Sequence, residues 1–145
     1  MGKRIAIASD HAGYSMKIEI IRYLEEKGLE VKDLGTDSSD TTDYPDYGHP
    51  LASAVEKKEF STGISLCGSG NGINMVTNKH QGIRGALCWN KKIAEQSRKH
   101  NDDNICSLPA RFIELDMAIE IVNIFLNTPF EGGRHCARIE KIPLI

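Results

Sequence analysis

The chain of 145 residues suits one domain of ordinary size, with enough length to bury a core without staples. Its 40% hydrophobic and 26% charged residues belong to a globular protein, and a net charge of -2 offers no general basic field for nucleic acid or acidic lipid. The apolar run after Met1-Gly2-Lys3-Arg4 is too short for a signal core, and no segment is long enough to span a bilayer.

Gly2 lacks the Ser or Thr at position 6 that myristoylation needs, since Ala6 stands there. Cys67, Cys88, Cys106 and Cys136 are scattered without a CxxC pair, which reads as a reduced, cytoplasmic protein.

Short β-branched runs alternate with amphipathic stretches along the chain. Lys3 to Ala8, with Ile5 and Ile7, predicts a first strand. Gly13 to Lys27 predicts a helix, with Met16, Ile20 and Leu24 on one face and Gly28 as its stop. Leu29 to Leu34 gives a second strand. Gly35 to Tyr47 is a polar connection long enough to be functional.

A helix over His49 to Lys58 leads to a third strand, Gly63 to Cys67, then a glycine loop and a short helix to about Lys79. Arg84 to Cys88 and Asn104 to Ser107 read as strands on either side of a helix from Asn90 to His100. Ile113 to Leu126 is a strongly apolar helix ended by Thr128-Pro129, and a last short helix begins near Gly133. The expected fold is α/β: a single doubly wound, Rossmann/flavodoxin-like domain over residues 1–145, with a five-stranded parallel sheet ordered 2-1-3-4-5. In such a sheet ligands bind past the carboxyl ends of the strands where the order reverses, here beside Asp10-His11 and Cys67 to Gly72.

Cys67-Gly68-Ser69-Gly70-Asn71-Gly72 is the most informative stretch. Glycines at a strand-to-helix turn let backbone amides cradle an anion, and a thiol there has its thiolate favoured. A tight turn around an inert cysteine is the bland alternative. A Rossmann fingerprint fails on spacing and on its place after the third strand, and a P-loop fails for want of Gly-Lys-Ser/Thr. Small cysteine phosphatases carry Arg six residues past their nucleophile, where this chain has Ile73.

Asp10-His11 admits two readings, a helix N-cap and a ligand for a sugar hydroxyl and a phosphate. His100-Asn101 at a helix end can stabilise the dipole or pass a proton. Arg134 and Arg138, at i and i+4, turn two guanidinium forks the same way, which suits a phosphate monoester as well as a solvated face; Arg111 is a third such candidate. Cys88 and Cys106 read as core residues. His135-Cys136 hints at a metal, but none of the zinc spacings is present and neither metal nor cofactor is expected.

Ser9-Asp10-His11-Ala12-Gly13, Thr42-Asp43-Tyr44-Pro45, Cys67-Gly68-Ser69-Gly70, Asn78-Lys79, Gly82-Ile83-Arg84, Arg98-Lys99-His100-Asn101-Asp102 and Glu131-Gly132-Gly133-Arg134-His135 together resemble the RpiB/LacAB sugar-phosphate isomerases. The blocks, with Arg138, cover essentially the whole chain. The resemblance implies metal-independent interconversion of ribose 5-phosphate and ribulose 5-phosphate. It implies Cys67 as the base between C2 and C1, Ser69 as a proton relay, His100 opening the furanose ring and Asp10 assisting. It further implies that amides of Gly68, Ser69, Gly70, Asn71 and Gly72 stabilise an enediolate. His11, Arg111, Arg134 and Arg138 would hold the phosphate, and Tyr44 and Asn101 the sugar.

The family's members are dimers or tetramers that share active sites across an interface, so His100, Asn101 and Arg111 are expected to face the partner's Cys67. Ser69 replaces the more frequent Thr and keeps its hydroxyl. A branch with Ser for Cys uses a Glu a few residues on, where this chain has Met75. Leu108-Pro109-Ala110 departs from the smaller residues usual before the arginine. A sister activity on a six-carbon sugar phosphate and a binding module without turnover are the competing functions.

Overall fold

Side-chain alternation places the sheet between two unlike layers. In β1, Arg4–Ser9, the side chains of Ile5 and Ile7 join one core while Ala6 and Ala8 join the other. The computed structural model describes residues 3–144. After β1 come a 3-10 turn at His11–Gly13, α1 at Tyr14–Glu26, β2 at Glu30–Asp33, α2 at Pro45–Glu56 and β3 at Thr62–Cys67. α3 at Asn71–Thr77, β4 at Gly85–Leu87, α4 at Lys91–Asn101, β5 at Ile105–Pro109, α5 at Leu115–Asn127 and α6 at His135–Glu140 complete the order. No helix among the described residues is long and apolar enough to cross a membrane.

All five strands are parallel, in the order β2-β1-β3-β5-β4. The expected order, 2-1-3-4-5, is therefore corrected at one edge. β5 is buried along its whole length, whereas β4 is three residues long and half-buried, so the longer apolar strand takes the interior position. The exchange has a consequence for the helices. Right-handed crossovers put a helix on one face when the chain moves one way across the sheet, and on the other when it moves back. The return from β4 to β5 sends α4 to the face of α1 and α5, where Ala94, Ile20, Ala118 and Ile121 share one core. α2 lies on the opposite face, with Leu51, Ala52 and Val55 against Ala6 and Ala8. α5 anchors the first layer through Ile121, Val122, Phe125 and Leu126, each worth about 1.5–3 kcal/mol relative to exposure.

Two boundaries moved for local reasons. α2 starts at Pro45 rather than His49, because a proline in the first turn sacrifices no helical N–H. The first helix splits into the 3-10 turn and α1, since Asp10 Oδ1 accepts from the amides of both Ala12 (3.0 Å) and Gly13 (3.2 Å). Lys17, fully buried, reaches from α1 to Asp33 Oδ1 (2.6 Å) and the Thr36 carbonyl (2.7 Å), fixing the start of the polar loop.

Gly13 lets that 3-10 turn lie on β3: a Cβ there would stand 2.6 Å from Leu66 Cβ and 3.0 Å from the Leu66 backbone. Gly13→Ala is expected to cost about 1–3 kcal/mol by overpacking a backbone that cannot move aside. Urea denaturation checks it, and an unchanged midpoint would contradict the close approach.

Candidate active site

The carboxyl ends of β1 and β3 meet where the order of strands reverses, and Cys67, the last residue of β3, is buried there at 4% exposure. The chain then turns through Gly68 and Ser69 to Gly70, the left-handed residue (φ 74°) at the N-cap of α3. A Cβ on Gly70 would stand 2.9 Å from the Leu108 carbonyl, so the turn requires glycine both for its φ and for its contact with β5. A buried polar chain supports the turn from below. Ser107 Oγ donates to Asn74 Oδ1 on α3 (2.9 Å), which leaves Ser65 to donate to Ser107 across 2.6 Å.

Within the turn, Asn71 N–H already donates to Ser69 Oγ (3.2 Å), so this amide belongs to the loop's own turn. Tyr44 packs over the loop, its Cζ 2.7 Å from where a Gly72 Cβ would be. Arg111 does the same at Gly68, with its guanidinium 3.2 Å from that glycine's ideal Cβ and its N–H bonded to the Gly68 carbonyl (2.9 Å).

Asp10 caps the 3-10 turn with Oδ1 alone, while Oδ2 takes neither of those bonds; the cap reading and the site reading of this residue coexist. His11 is clamped reciprocally by Thr42. Its amide donates to Thr42 Oγ1 (3.1 Å), and its Nδ1 accepts from the Thr42 amide (3.1 Å). Accepting at Nδ1 puts the ring hydrogen of the neutral tautomer on Nε2, available to an anion. Sequence reasoning gave Thr42 no role. Its signals were its place in an overlong polar loop and in the Thr42-Asp43-Tyr44-Pro45 block.

His100 and Asn101 are elsewhere. They end α4, which runs from the carboxyl end of β4 back to the amino end of β5. Six residues of β3 separate the two ends of the sheet, about 17 Å at roughly 3.3 Å per residue. Arg134 and Arg138 share the His100 end. Glu131 N–H bonds to the Lys99 carbonyl (3.1 Å), and the rings of His100 and His135 stack with centroids 4.3 Å apart. Arg134 sits at the N-cap of α6 and Arg138 within it, both exposed.

The candidate residues thus form two groups. Asp10, His11, Tyr44, Cys67 to Gly72 and Arg111 stand at the carboxyl end; His100, Asn101, Arg134 and Arg138 stand at the amino end. Against expectation, Arg111 stays with its own chain's Cys67 loop, and the other two arginines travel with His100.

The amino end is built rigidly. Arg84 donates to the carbonyls of Asn101 and Asp102 (both 2.8 Å), and Arg98 to Asp102 Oδ1 (2.9 Å) and the Asp103 carbonyl (2.6 Å). Asp102 closes α4 in the left-handed region at φ 48°. Glu131 and His135, which sequence spacing left out of the site, flank His100, and these three could hold a metal ion. Burial first, then Arg134 and His100, push the His135 imidazole below its ordinary pKa.

An α/β protein with a thiol in a glycine turn at the switch point has the arrangement of doubly wound enzymes that bind phosphorylated ligands past the carboxyl ends of their strands. The comparisons narrow the class. Residues 5–142 match the model of the Ribose/Galactose Isomerase family (LacAB_rpiB), and the chain belongs to that family. It is 44% identical to ribose-5-phosphate isomerase B of Escherichia coli K12 over 143 residues, covering 99% of this chain and 96% of that one. The crystal structure of a Thermotoga maritima ribose 5-phosphate isomerase RpiB matches with a TM-score of 0.98 at 45% identity, covering 100% of both chains. Mycoplasma genitalium ribose-5-phosphate isomerase B with bound ribulose-5-phosphate matches at 0.92 and 40% identity, over 96% and 93% of the two chains.

Burial pushes the Asp103 carboxyl up to about 7 against the pull of Arg84 and Arg98, with Asp102 adding to the rise. The folded protein then holds a proton that the unfolded chain has released, so this residue's contribution to stability falls as pH rises from about 4 to about 7. Asp103→Asn is expected to be more stable than wild type at about pH 8, with the difference shrinking towards about pH 4. Denaturation at the two pH values checks it; a pH-independent difference would contradict the assignment.

Proposed function

We propose that this isomerase interconverts D-ribose 5-phosphate and D-ribulose 5-phosphate. It does so in a homo-oligomer, at its simplest a dimer, whose sites each join the Cys67 end of one chain to the partner's His100 end. The carrying observation is the division of the candidate residues between opposite ends of a parallel sheet, which one chain cannot bring together. Phe112, Met75 and Trp89, at 75%, 54% and 53% exposure, give the carboxyl end an apolar surface that a second copy would cover.

In this reading the partner's His100 moves a proton to the furanose ring oxygen, and Asp10 Oδ2 accepts from a sugar hydroxyl. Cys67, as thiolate, takes the proton from C2 and returns it to C1 on the same face of a cis-enediolate. Ser69 relays the proton between the two oxygens, its hydroxyl free to donate while it accepts from Asn71 N–H. The enediolate charge needs donors already in place, and one well-placed donor is worth roughly 3–4 kcal/mol. Amides of Gly68, Ser69, Gly70 and Gly72 fill that role, with Asn71 contributing after its internal bond yields.

His11 Nε2–H and Arg111 hold the phosphate from one side, and the partner's Arg134 and the partner's Arg138 from the other. Tyr44 and the partner's Asn101 contact the sugar. Binding at the phosphate, remote from C1 and C2, supplies energy for positioning. A cytoplasmic setting suits a base that must stay a reduced thiol. The family's description names galactose as well as ribose, so a six-carbon sugar phosphate is the second reading.

The test is an isomerase assay on ribose 5-phosphate with chelator present, beside galactose 6-phosphate and allose 6-phosphate. Cys67→Ala is expected to lower kcat by at least about 10²-fold, as loss of a general base does. His100→Asn is expected to process an open-chain substrate and fail on the ring form. Full activity in Cys67→Ala would remove it as the base, and preference for a hexose phosphate would shift the substrate to the second reading.

A further inference from the structure

His135 is the least expected side chain at the His100 end. It is 4% exposed, and its Nε2 has no hydrogen-bond partner among the described residues. A buried imidazole nitrogen without a partner is costly, and such groups call for a bound species. The nitrogen lies 3.5 Å from Glu131 Oε1, and the same oxygen lies 3.9 Å from His100 Nε2. The three ligand atoms stand within 4.8 Å of one another. With bonds of about 2.0–2.2 Å, two ligands of a tetrahedral zinc-class ion lie about 3.4 Å apart, so the separations need only small closure.

We propose that His100, Glu131 and His135 form a binding site for a divalent ion of the zinc class, and that its occupation inhibits the enzyme. Two imidazoles and one carboxylate suit that class and leave a fourth position for water. His135 is fixed by burial and Glu131 by its backbone bond to Lys99, while the part-exposed His100 ring supplies the movement. The rings now stack at 17°, so coordination swivels His100 to turn its Nε2 onto the ion. Local spacing could not show this site, because Glu131 and His135 stand at i and i+4 on the chain while His100 arrives from another helix. The expectation of no metal rests on local spacings alone, and the proposed cluster departs from it.

The inhibitory effect rests on the proposed role of His100 as the ring-opening residue: a coordinated nitrogen has no lone pair for a proton. Binding itself does not depend on that role. The experiment titrates the chelator-stripped full chain with cobalt(II), which reports its ligands by absorption, under a phosphine reductant that keeps the thiols free. One equivalent per chain is expected, with d–d bands and no thiolate charge-transfer band, and Cys136→Ser is expected to bind equally well.

Glu131→Gln and His135→Asn are expected to weaken binding by at least about tenfold, as loss of one ligand does. Glu131 is exposed, so its variant keeps the test valid should His135→Asn fail to fold. Equal binding by Glu131→Gln, a thiolate charge-transfer band, or no binding at about 1 mM cobalt would overturn the site. In the isomerase assay, zinc is expected to inhibit wild type reversibly with chelator, and full activity of the loaded enzyme would overturn the inhibition. Cobalt binding in a metal-free protein that shows no isomerase activity would instead count against the isomerase reading and leave the metal site standing.

Discussion

A parallel sheet has two chemically different ends, and every helix that follows a strand must carry the chain back from one to the other. Residues just after a strand and residues just before the next one are therefore held a strand's length apart, however close they are in sequence. Here Cys67 follows β3 while His100 precedes β5, its neighbour in the sheet. Packing cannot shorten that separation, because α4 and β5 both lie within one rigid core. The same polarity gathers Asp10, His11 and Arg111 at the thiol's end and Arg134 and Arg138 at the other.

Each group of candidate residues is held in shape by bonds that need no ligand. At the carboxyl end, Thr42 sets the His11 tautomer and the Ser65–Ser107–Asn74 chain holds α3 under the glycine turn. At the amino end, Arg84 and Arg98 fasten the carbonyls beyond His100, so the last turn of α4 cannot fray. These bonds cost little to form because their partners are already ordered by the sheet. Preorganisation of this kind is what proton transfer beside a carbonyl demands, since charge must find its donors in position.

The placing of the Cys67 turn beside Asp10-His11 was legible in the sequence because its signals are local. A strand, a thiol and three glycines within six residues define one turn, and Asp10-His11 closes the neighbouring strand. The exchange of β4 and β5 was not legible, since strand order depends on which segment buries better and Arg84–Cys88 looks much like Asn104–Ser107 in isolation. That exchange also decides the face on which α4 packs. Arg111 was misplaced because an arginine's reach cannot be read from its neighbours; the bond from its own amide to Gly68 is tertiary. The meeting of Glu131 and His135 with His100 was not legible for a similar reason, because it brings the chain around the start of α6 against the end of α4, which periodicity treats separately.

The proposed sharing of the site between chains has a stoichiometric consequence that no single-chain site can imitate. A mixed dimer of Cys67→Ala and His100→Asn chains, isolated through two different tags, holds one doubly altered site and one intact site. Two proteins that are each inactive on ring-form ribose 5-phosphate are expected to yield about half the wild-type activity per dimer. A mixed dimer as inactive as its parents would contradict a site built from the two opposite ends of neighbouring sheets.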